Sequence, residues 1–504
     1  MAQATKSKSA SKKPAAKSGF AAGLDKFFEI SKRGSTIGTE VRGGLVIFMT
    51  MVYIVILNPI IIAYNQDVNG NFIGGAAPNG AAVASATALT AGVLTLIFAL
   101  VARLPFALAA GLGINSFLAV TMVKGVTWPE AMGLVIIDGI IIVLLAATGL
   151  RTLIFNAVPA ALKTAITVGI GLFIAFIGLV DGGLVRRNGD DADTPVPVNW
   201  GVGASHQLGY PTLVFVLTVV AIAILMAIRV RAAILIGLVF GTVVAIILEA
   251  TMAIGGKFND KGEFVTPFGW DTTIPQWPSK VFAVPDLSTI GQVDLFGAFT
   301  RVGIMAGITL VFTLVFSNFF DAMGTMTGLS KQAGLADKKG NFPRLTSALI
   351  VEGAGAVAGG LTSTSSNTVY IESASGIAGG ARTGLATTVT GLLFVLAAFL
   401  SPITSIVPIE VGAAALVVVG ALMMAQVVDI DWKDWTISFP AFLAIILMPF
   451  SYSIANGIGA GFIAFVIART AAGKAKEIHW LLWVVAAGFL LYFLLPTISP
   501  LIGA

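Results

Sequence analysis

The sequence predicts an all-α polytopic membrane protein of about 14 spans, arranged as two inverted halves of seven. Three observations predict it. The first is composition: 57% of the 504 residues are hydrophobic and only 11% charged, whereas soluble domains carry roughly 25% charged residues. The second is a series of long apolar runs from Gly44 to Leu495, each close to the ~20 residues that cross a ~30 Å hydrocarbon core. The third is an internal match: two runs are interrupted in the same way, and each is the third of a set of seven.

The runs fall near 43–63, 82–102, 105–123, 131–149, 153–180, 211–228 and 232–254, then near 297–322, 345–361, 363–381, 384–402, 409–427, 437–452 and 453–470. A further C-terminal run covers 480–497. None breaks into the polar face at period 3.6 that a soluble helix would show.

Charge orients the list. With the N-terminus cytoplasmic, the short loops bearing Arg103, Arg151, Arg229 with Arg231, Lys338 with Lys339 and Arg344, Arg382, and Arg469 with Lys474 and Lys476 all fall on the cytoplasmic side. The loop at 64–80 has Asp67 and no Lys or Arg, and it falls outside. This is the positive-inside pattern. The long connections 181–210 and 255–296 also fall outside, where the rule does not bind. Much of the formal net charge of +5 sits in Lys6, Lys8, Lys12, Lys13 and Lys17. That Ser/Ala/Lys-rich start lacks the apolar surface needed to fold and reads as a disordered cytoplasmic tail, in reach of anionic lipid rather than nucleic acid.

There are no cysteines, and the two histidines, His206 and His479, lie in polar connections. No metal cluster, thiol chemistry or resident cofactor is expected, and no catalytic constellation of an enzyme. Gly111-Leu-Gly113 has no βαβ unit around it, and Gly324-Thr-Met-Thr-Gly328 lacks a phosphate-loop lysine.

The interrupted runs read Pro105-Phe-Ala-Leu-Ala-Ala-Gly-Leu-Gly-Ile-Asn115-Ser-Phe and Gly359-Gly-Leu-Thr-Ser-Thr-Ser-Ser-Asn-Thr-Val-Tyr-Ile-Glu372-Ser. Irregular backbone survives at membrane depth only where protein or a cavity surrounds it, and paired broken segments point to a transporter's binding site. The stretch from Gly44 to Asn58 aligns without gaps to Gly307–Asp321, placing Thr50 on Thr313 and Asn58 on Asp321. Because seven is odd, the second half enters from the opposite face, and the breaks meet near the midplane.

Intramembrane carboxylates are rare and costly. Three are read well inside spans: Asp321, Glu352 and Glu372. Asp321 is placed close to where its span leaves hydrocarbon. Glu372 opens the helical half after a break. Glu352 follows Arg344 by eight residues and is either its structural partner or a ligand. Carboxylates flanked by hydroxyls and amides suit a neutral heterocycle: they accept from ring N–H and exocyclic amine donors, while Thr hydroxyls and free backbone N–H groups answer carbonyls. Phe106, Phe117, Phe320 and Tyr370 are candidates to stack on it. An anion carrier would place Arg or Lys at the break, and 105–120 and 360–376 hold none. Desolvation disfavours a charged carboxylate, so a carboxyl protonated outside and released inside would couple substrate to a proton gradient.

These residues resemble the AzgA-like purine permeases of the nucleobase–cation symporter 2 superfamily. The similarity runs from about residue 38 to 495. It rests on Phe48-Met-Thr-Met-Val-Tyr-Ile-Val-Ile-Leu-Asn-Pro59, Ala107–Asn115, Phe320-Asp-Ala-Met-Gly-Thr325, Ala336–Arg344, Thr362-Ser-Thr-Ser-Ser-Asn-Thr-Val-Tyr-Ile-Glu-Ser373 and Met448–Gly457. The resemblance implies a uracil-permease-like fold with short strands in spans 3 and 10. Core-domain halves would occupy 39–150 (spans 1–4) and 297–403 (spans 8–11). Gate-domain halves would occupy 151–256 (spans 5–7) and 404–504 (spans 12–14 with the C-terminal segment). The tail would cover 1–38, and an extracytoplasmic loop 257–296.

By the same resemblance, substrate would meet Asp321, Glu372, Thr325 and Tyr370; Asn115, Thr368, Gly113 and Phe320, in or beside the same stretches, are the other candidate substrate contacts. Asp321, Glu372 and Glu352 would serve proton coupling, with H⁺ preferred over Na⁺. The implied activity is import of hypoxanthine/guanine or adenine across the cell membrane, with a homodimer left open. The chain departs from the family's Ala-Pro-Gly-Met-Gly at Ala109-Ala-Gly-Leu-Gly, and has Asn456 where Asp is common. Glu352 stands where the family usually has Asp. The alternative is a SulP-like anion transporter on the same architecture.

Overall fold

Inside hydrocarbon every backbone N–H and C=O needs a partner within the protein, and a helix supplies them within one segment. The apolar runs accordingly fold as helices in the computed structural model, which describes residues 19–187, 198–202, 207–259, 263–337, 342–404 and 406–502. Among these residues ten helices are long and apolar enough to cross a bilayer, and four shorter apolar helical stretches accompany them: Leu112–Lys124, Leu345–Leu361, Trp435–Phe450 and Trp480–Leu494. The protein is a multi-pass membrane protein.

Helices pack where side chains are smallest. A methyl group on Gly171 would lie 2.9 Å from the Gly420 carbonyl, and one on Gly92 would lie 2.9 Å from the Gly391 carbonyl. These close approaches join Ala160–Asp181 to Ile409–Met424 and Gly80–Val101 to Gly384–Ala397, as small-residue interfaces do in lipid.

The broken segments contain two strands, β1 (Leu108–Ala110) and β2 (Asn367–Val369). They pair antiparallel, with Leu108 opposite Val369, Ala109 opposite Thr368 and Ala110 opposite Asn367. Neighbours take up the remaining backbone groups. Thr95 Oγ1 donates to the Leu108 carbonyl and accepts from its N–H, Ser373 Oγ accepts from Ala107 N–H, and Gly111 N–H donates to the Ser366 carbonyl. Helices resume at Leu112–Val120 and Ser373–Ala378.

Several boundaries differ from expectation. The run expected at 153–180 is two helices, Leu150–Ala157 and Ala160–Asp181. Pro159 separates them, and Val158 before it is extended (ψ 129°), as a residue preceding proline prefers. The run expected to end at 322 is Gly297–Val302, a turn at Gly303 (φ 86°), and then Ile304–Gln332. Asp321 is therefore in a helix interior, not near its end. The first span is interrupted between Met51 and Ile54, at Val52 and Tyr53.

The disordered tail expected over 1–38 also needs correction. Residues 1–18 lie outside the described residues, as do His206, Lys338 and Lys339. The described part of this segment is folded: Gly19–Phe28 is a helix, and Phe28 and Ile30 pack with Leu385. Arg33 donates to the carbonyls of Arg103 and Arg382. Composition averaged over 38 residues hides the apolar cluster Leu24, Phe27, Phe28 and Ile30. At the opposite end, residues 263–296 strap the helix ends. Asn79 Nδ2 donates to Asp286 (3.0 Å), Ser363 Oγ to the Thr289 carbonyl (2.7 Å), and Asp294 N–H to the Pro129 carbonyl (2.9 Å). The Ser288 backbone N–H, the Ser288 hydroxyl and the Asn79 amide hold the Asp286 carboxyl below its ordinary value.

Candidate functional site

The two strands bring extended chain in among the helices, and the polar residues that follow them reach a cavity of about 670 Å³. Gly113 and Thr368 line it from the breaks, with Tyr370 and Glu372 just beyond β2. Asp321 and Thr325 line it from Ile304–Gln332, one turn apart on the same face. Thr50 and Tyr53 enter from the first span, and Ile170, Ile174, Val419 and Met423 form an apolar wall opposite. Six of the residues expected to meet substrate thus share one cavity: Asp321, Glu372, Thr325, Tyr370, Thr368 and Gly113. An apolar pocket with a few convergent polar groups is the usual form of a small-molecule site.

The polar groups differ in how much of their bonding capacity is already used. Tyr53 O–H donates to Glu372 Oε1 at 2.5 Å, leaving Oε2 for another donor. No described residue hydrogen-bonds the Asp321 carboxylate, so both of its oxygens are open to the cavity. Thr368 Oγ1 is buried with no partner. Tyr370 O–H donates to the Ala110 carbonyl, which ties its ring to β1. Thr50 and Ser375 hydroxyls bond each other at 2.9 Å. Gly113 is glycine because a Cβ there would stand 2.8 Å from Ile170 Cγ2. The one basic residue lining the cavity among the described residues is Arg231, between Tyr210–Ala227 and Ala233–Met252.

Five expected residues lie elsewhere. Asn115 is fully buried, and its amide donates to Asn58 Oδ1 (2.6 Å); Asn58 in turn donates to Thr87 and to the Thr364 carbonyl. It ties the first half-helix to the first two spans. Phe320 is 2% exposed and packs edge-on against Phe319, with Phe316 a turn away, so its ring does not stack in the cavity. Phe106 and Phe117 are core residues as well. Glu352 is fully buried beside Arg151, with Arg151 Nη1 at 2.6 Å from Oε2. Its partner is therefore Arg151 and not Arg344, whose guanidinium bonds the Val101 carbonyl. Arg151, expected in an exposed loop, is 0% exposed; the early helix start at Leu150 turns it into the protein.

Two further groups come forward in three dimensions. Tyr53 lies within a motif quoted for its resemblance, but its bond to Glu372 spans 319 residues. Asp138 is a fourth intramembrane carboxylate, fully buried within Trp128–Ala147. The rarity rule that marks the other three applies equally to its position within the run 131–149.

A model of the Permease family (Xan_ur_permease) matches residues 38–459. The chain belongs to this permease family. Similar curated proteins include the guanine/hypoxanthine permease PbuG of Bacillus subtilis, 36% identical over 93% of this chain and 99% of its own length. The adenine permease AdeP of Escherichia coli is 36% identical over 93% and 95%. Among solved structures, the transmembrane domain of a cyanobacterial bicarbonate transporter, BicA, superposes with a TM-score of 0.54, covering 86% of this permease and 97% of that chain at 14% identity. At that identity the likeness concerns the fold alone.

Proposed function

We propose that this permease is a secondary active transporter importing purine nucleobases, hypoxanthine/guanine or adenine, by proton symport. The observation that carries the reading is the identity of 36% over nine-tenths of the chain with permeases named for guanine/hypoxanthine and for adenine. The cavity chemistry agrees with it. Asp321 offers two acceptor oxygens and Glu372 one, matching the ring and amine N–H donors of a purine, and Thr325 and Thr368 hydroxyls can answer its carbonyl or ring nitrogens. Glu352 is left out of the coupling role on this reading, because its carboxylate is committed to Arg151.

Alternating access is proposed between a core of spans 1–4 and 8–11 and a gate of spans 5–7 and 12–14, related as a 7+7 inverted repeat with the N-terminus cytoplasmic. The antiparallel pairing of the two third-span strands supports this arrangement. So does the close approach of Gly113, on one side, to Ile170 of the other. The anion reading has the fold likeness to BicA in its favour. Against it, three carboxylates, Asp321, Glu372 and Asp429, line the cavity and Arg231 is the single basic residue there among the described residues.

The test is uptake of labelled hypoxanthine into proteoliposomes, in competition with adenine, guanine, uracil and sulfate. Competition by one or more purines and none by sulfate is expected. Competition by sulfate alone would replace the purine reading with the anion one.

Tyr53→Phe tests the site's geometry. Leaving a buried acceptor unsatisfied costs about 1–3 kcal/mol, so KM for the purine is expected to rise by about tenfold or more. Vmax per folded copy should stay near wild type. An unchanged KM would remove Tyr53 from the site.

A further inference from the structure

Behind the cavity, Asp138, Asn318 and Ser366 form a buried cluster that no substrate role uses. Asn318 Nδ2 donates to Asp138 Oδ2 at 3.1 Å and to Ser366 Oγ at 2.8 Å. Asp138 and Asn318 are both 0% exposed. The second oxygen of each, Asp138 Oδ1 and Asn318 Oδ1, has no partner. Both are acceptors, so the pair lacks a donor. An amide and a carboxyl already joined by one N–H···O bond need a single hydrogen to satisfy both orphans: an O–H on the acid, donating to the amide oxygen.

We propose that Asp138 is a proton-binding site of the transport cycle. The proton adds to Oδ1, and the new O–H bond supplies the donor that Asn318 Oδ1 lacks. When the proton leaves, two unsatisfied oxygens remain in a dry interior, an arrangement costly to keep, and the Asn318 amide is driven to rearrange. That rearrangement reaches the substrate directly. Asn318 is one turn before Asp321 on the same helix, and Ser366 leads through β2 to Thr368 and Glu372.

The charged groups nearest Asp138 on elements packed against its helix are Glu352 on Leu345–Leu361 and Arg151 on Leu150–Ala157. Ile304–Gln332 packs on the same helix and presents Asn318 to it, and Ser366 of the second break joins the cluster through Asn318. Glu130 and Arg301 pair at the far end of the same helix. Glu352 keeps one oxygen without a partner and Arg151 keeps Nε and Nη2, so the polar chain continues beyond Asp138 to the start of Leu150–Ala157.

The inference rests on the proton-symport reading for its role in transport, but its first test needs no substrate. Infrared difference spectra of purified wild type and Asp138→Asn should show a protonated-carboxyl C=O band that the variant lacks; identical spectra would overturn the site. In proteoliposomes the wild type should accumulate its substrate about tenfold per pH unit of gradient at 1:1 stoichiometry. Asp138→Asn, whose amide mimics the protonated acid, should exchange substrate but not accumulate it. Accumulation by the variant equal to wild type, or wild-type uptake that follows a Na⁺ gradient and ignores pH, would overturn the proposal. If Asp138→Asn does not fold, Asn318→Ala removes the acceptor and should shift the carboxyl band; an unshifted band overturns it equally.

Discussion

Asp321→Asn is expected to lower purine uptake by about ten- to a hundredfold, the range set by hydrogen bonds to charged groups of about 1.5–3 kcal/mol. The geometry makes this the most sensitive position in the cavity. Asp321 has no described partner, so both of its oxygens are free for ligand donors. Replacing one oxygen by an NH₂ turns an acceptor into a donor facing a donor. Glu372→Gln should act in the same direction with a complication, because Gln can still accept from Tyr53 through its remaining oxygen and then presents its NH₂ to the substrate. Substrate titrations on the purified variants separate the two effects. Loss of affinity with unchanged melting temperature supports the assignment, and wild-type KM and rate in both variants would defeat it.

Arg151→Met is expected to cost about 3–5 kcal/mol of stability, the range for breaking a buried ion pair. Both partners are 0% exposed, and the guanidinium also touches the Leu349 carbonyl and lies over Phe319. Removing it leaves the Glu352 carboxylate charged, desolvated and alone. The pair is itself imperfectly satisfied, since Glu352 Oε1 and Arg151 Nε and Nη2 lack partners. The double variant Arg151→Met with Glu352→Leu should therefore recover most of the loss, as apolar replacement of buried ion pairs often does. Melting curves of detergent-solubilised protein check this. If the double variant melts no higher than the single one, the ion pair is not what holds these helices.

The membrane class, the helical runs and the two breaks were legible in the sequence because each is written locally. Hydrocarbon demands about twenty apolar residues per crossing, and Pro105, Gly111 and the hydroxyl run 362–366 cannot continue a helix cheaply. Asp321, Glu372, Thr325, Tyr370, Thr368 and Gly113 could be named for a related reason. They lie in or beside polar interruptions of apolar sequence, and such interruptions face a cavity.

What failed were several statements about where a side chain points. Phe320 precedes Asp321 by one residue, about 100° round the helix, and so packs in the core while Asp321 faces the cavity. Asn115 opens toward Asn58. Arg151 reads as a loop residue by charge and is buried by an early helix start. Glu352 takes its counter-charge from 201 residues away and not from the nearby Arg344.

The sequence by itself determined that this chain lives in a bilayer, where its backbone breaks, and which polar residues accompany the breaks, since all three follow from solvent and local chain stereochemistry. Only the tertiary structure decided the partners: Tyr53 on Glu372, Arg151 on Glu352, and Asn318 between Asp138 and Ser366. Each pairing joins segments far apart in the chain, and packing rather than local preference chooses among the many polar groups that could have met.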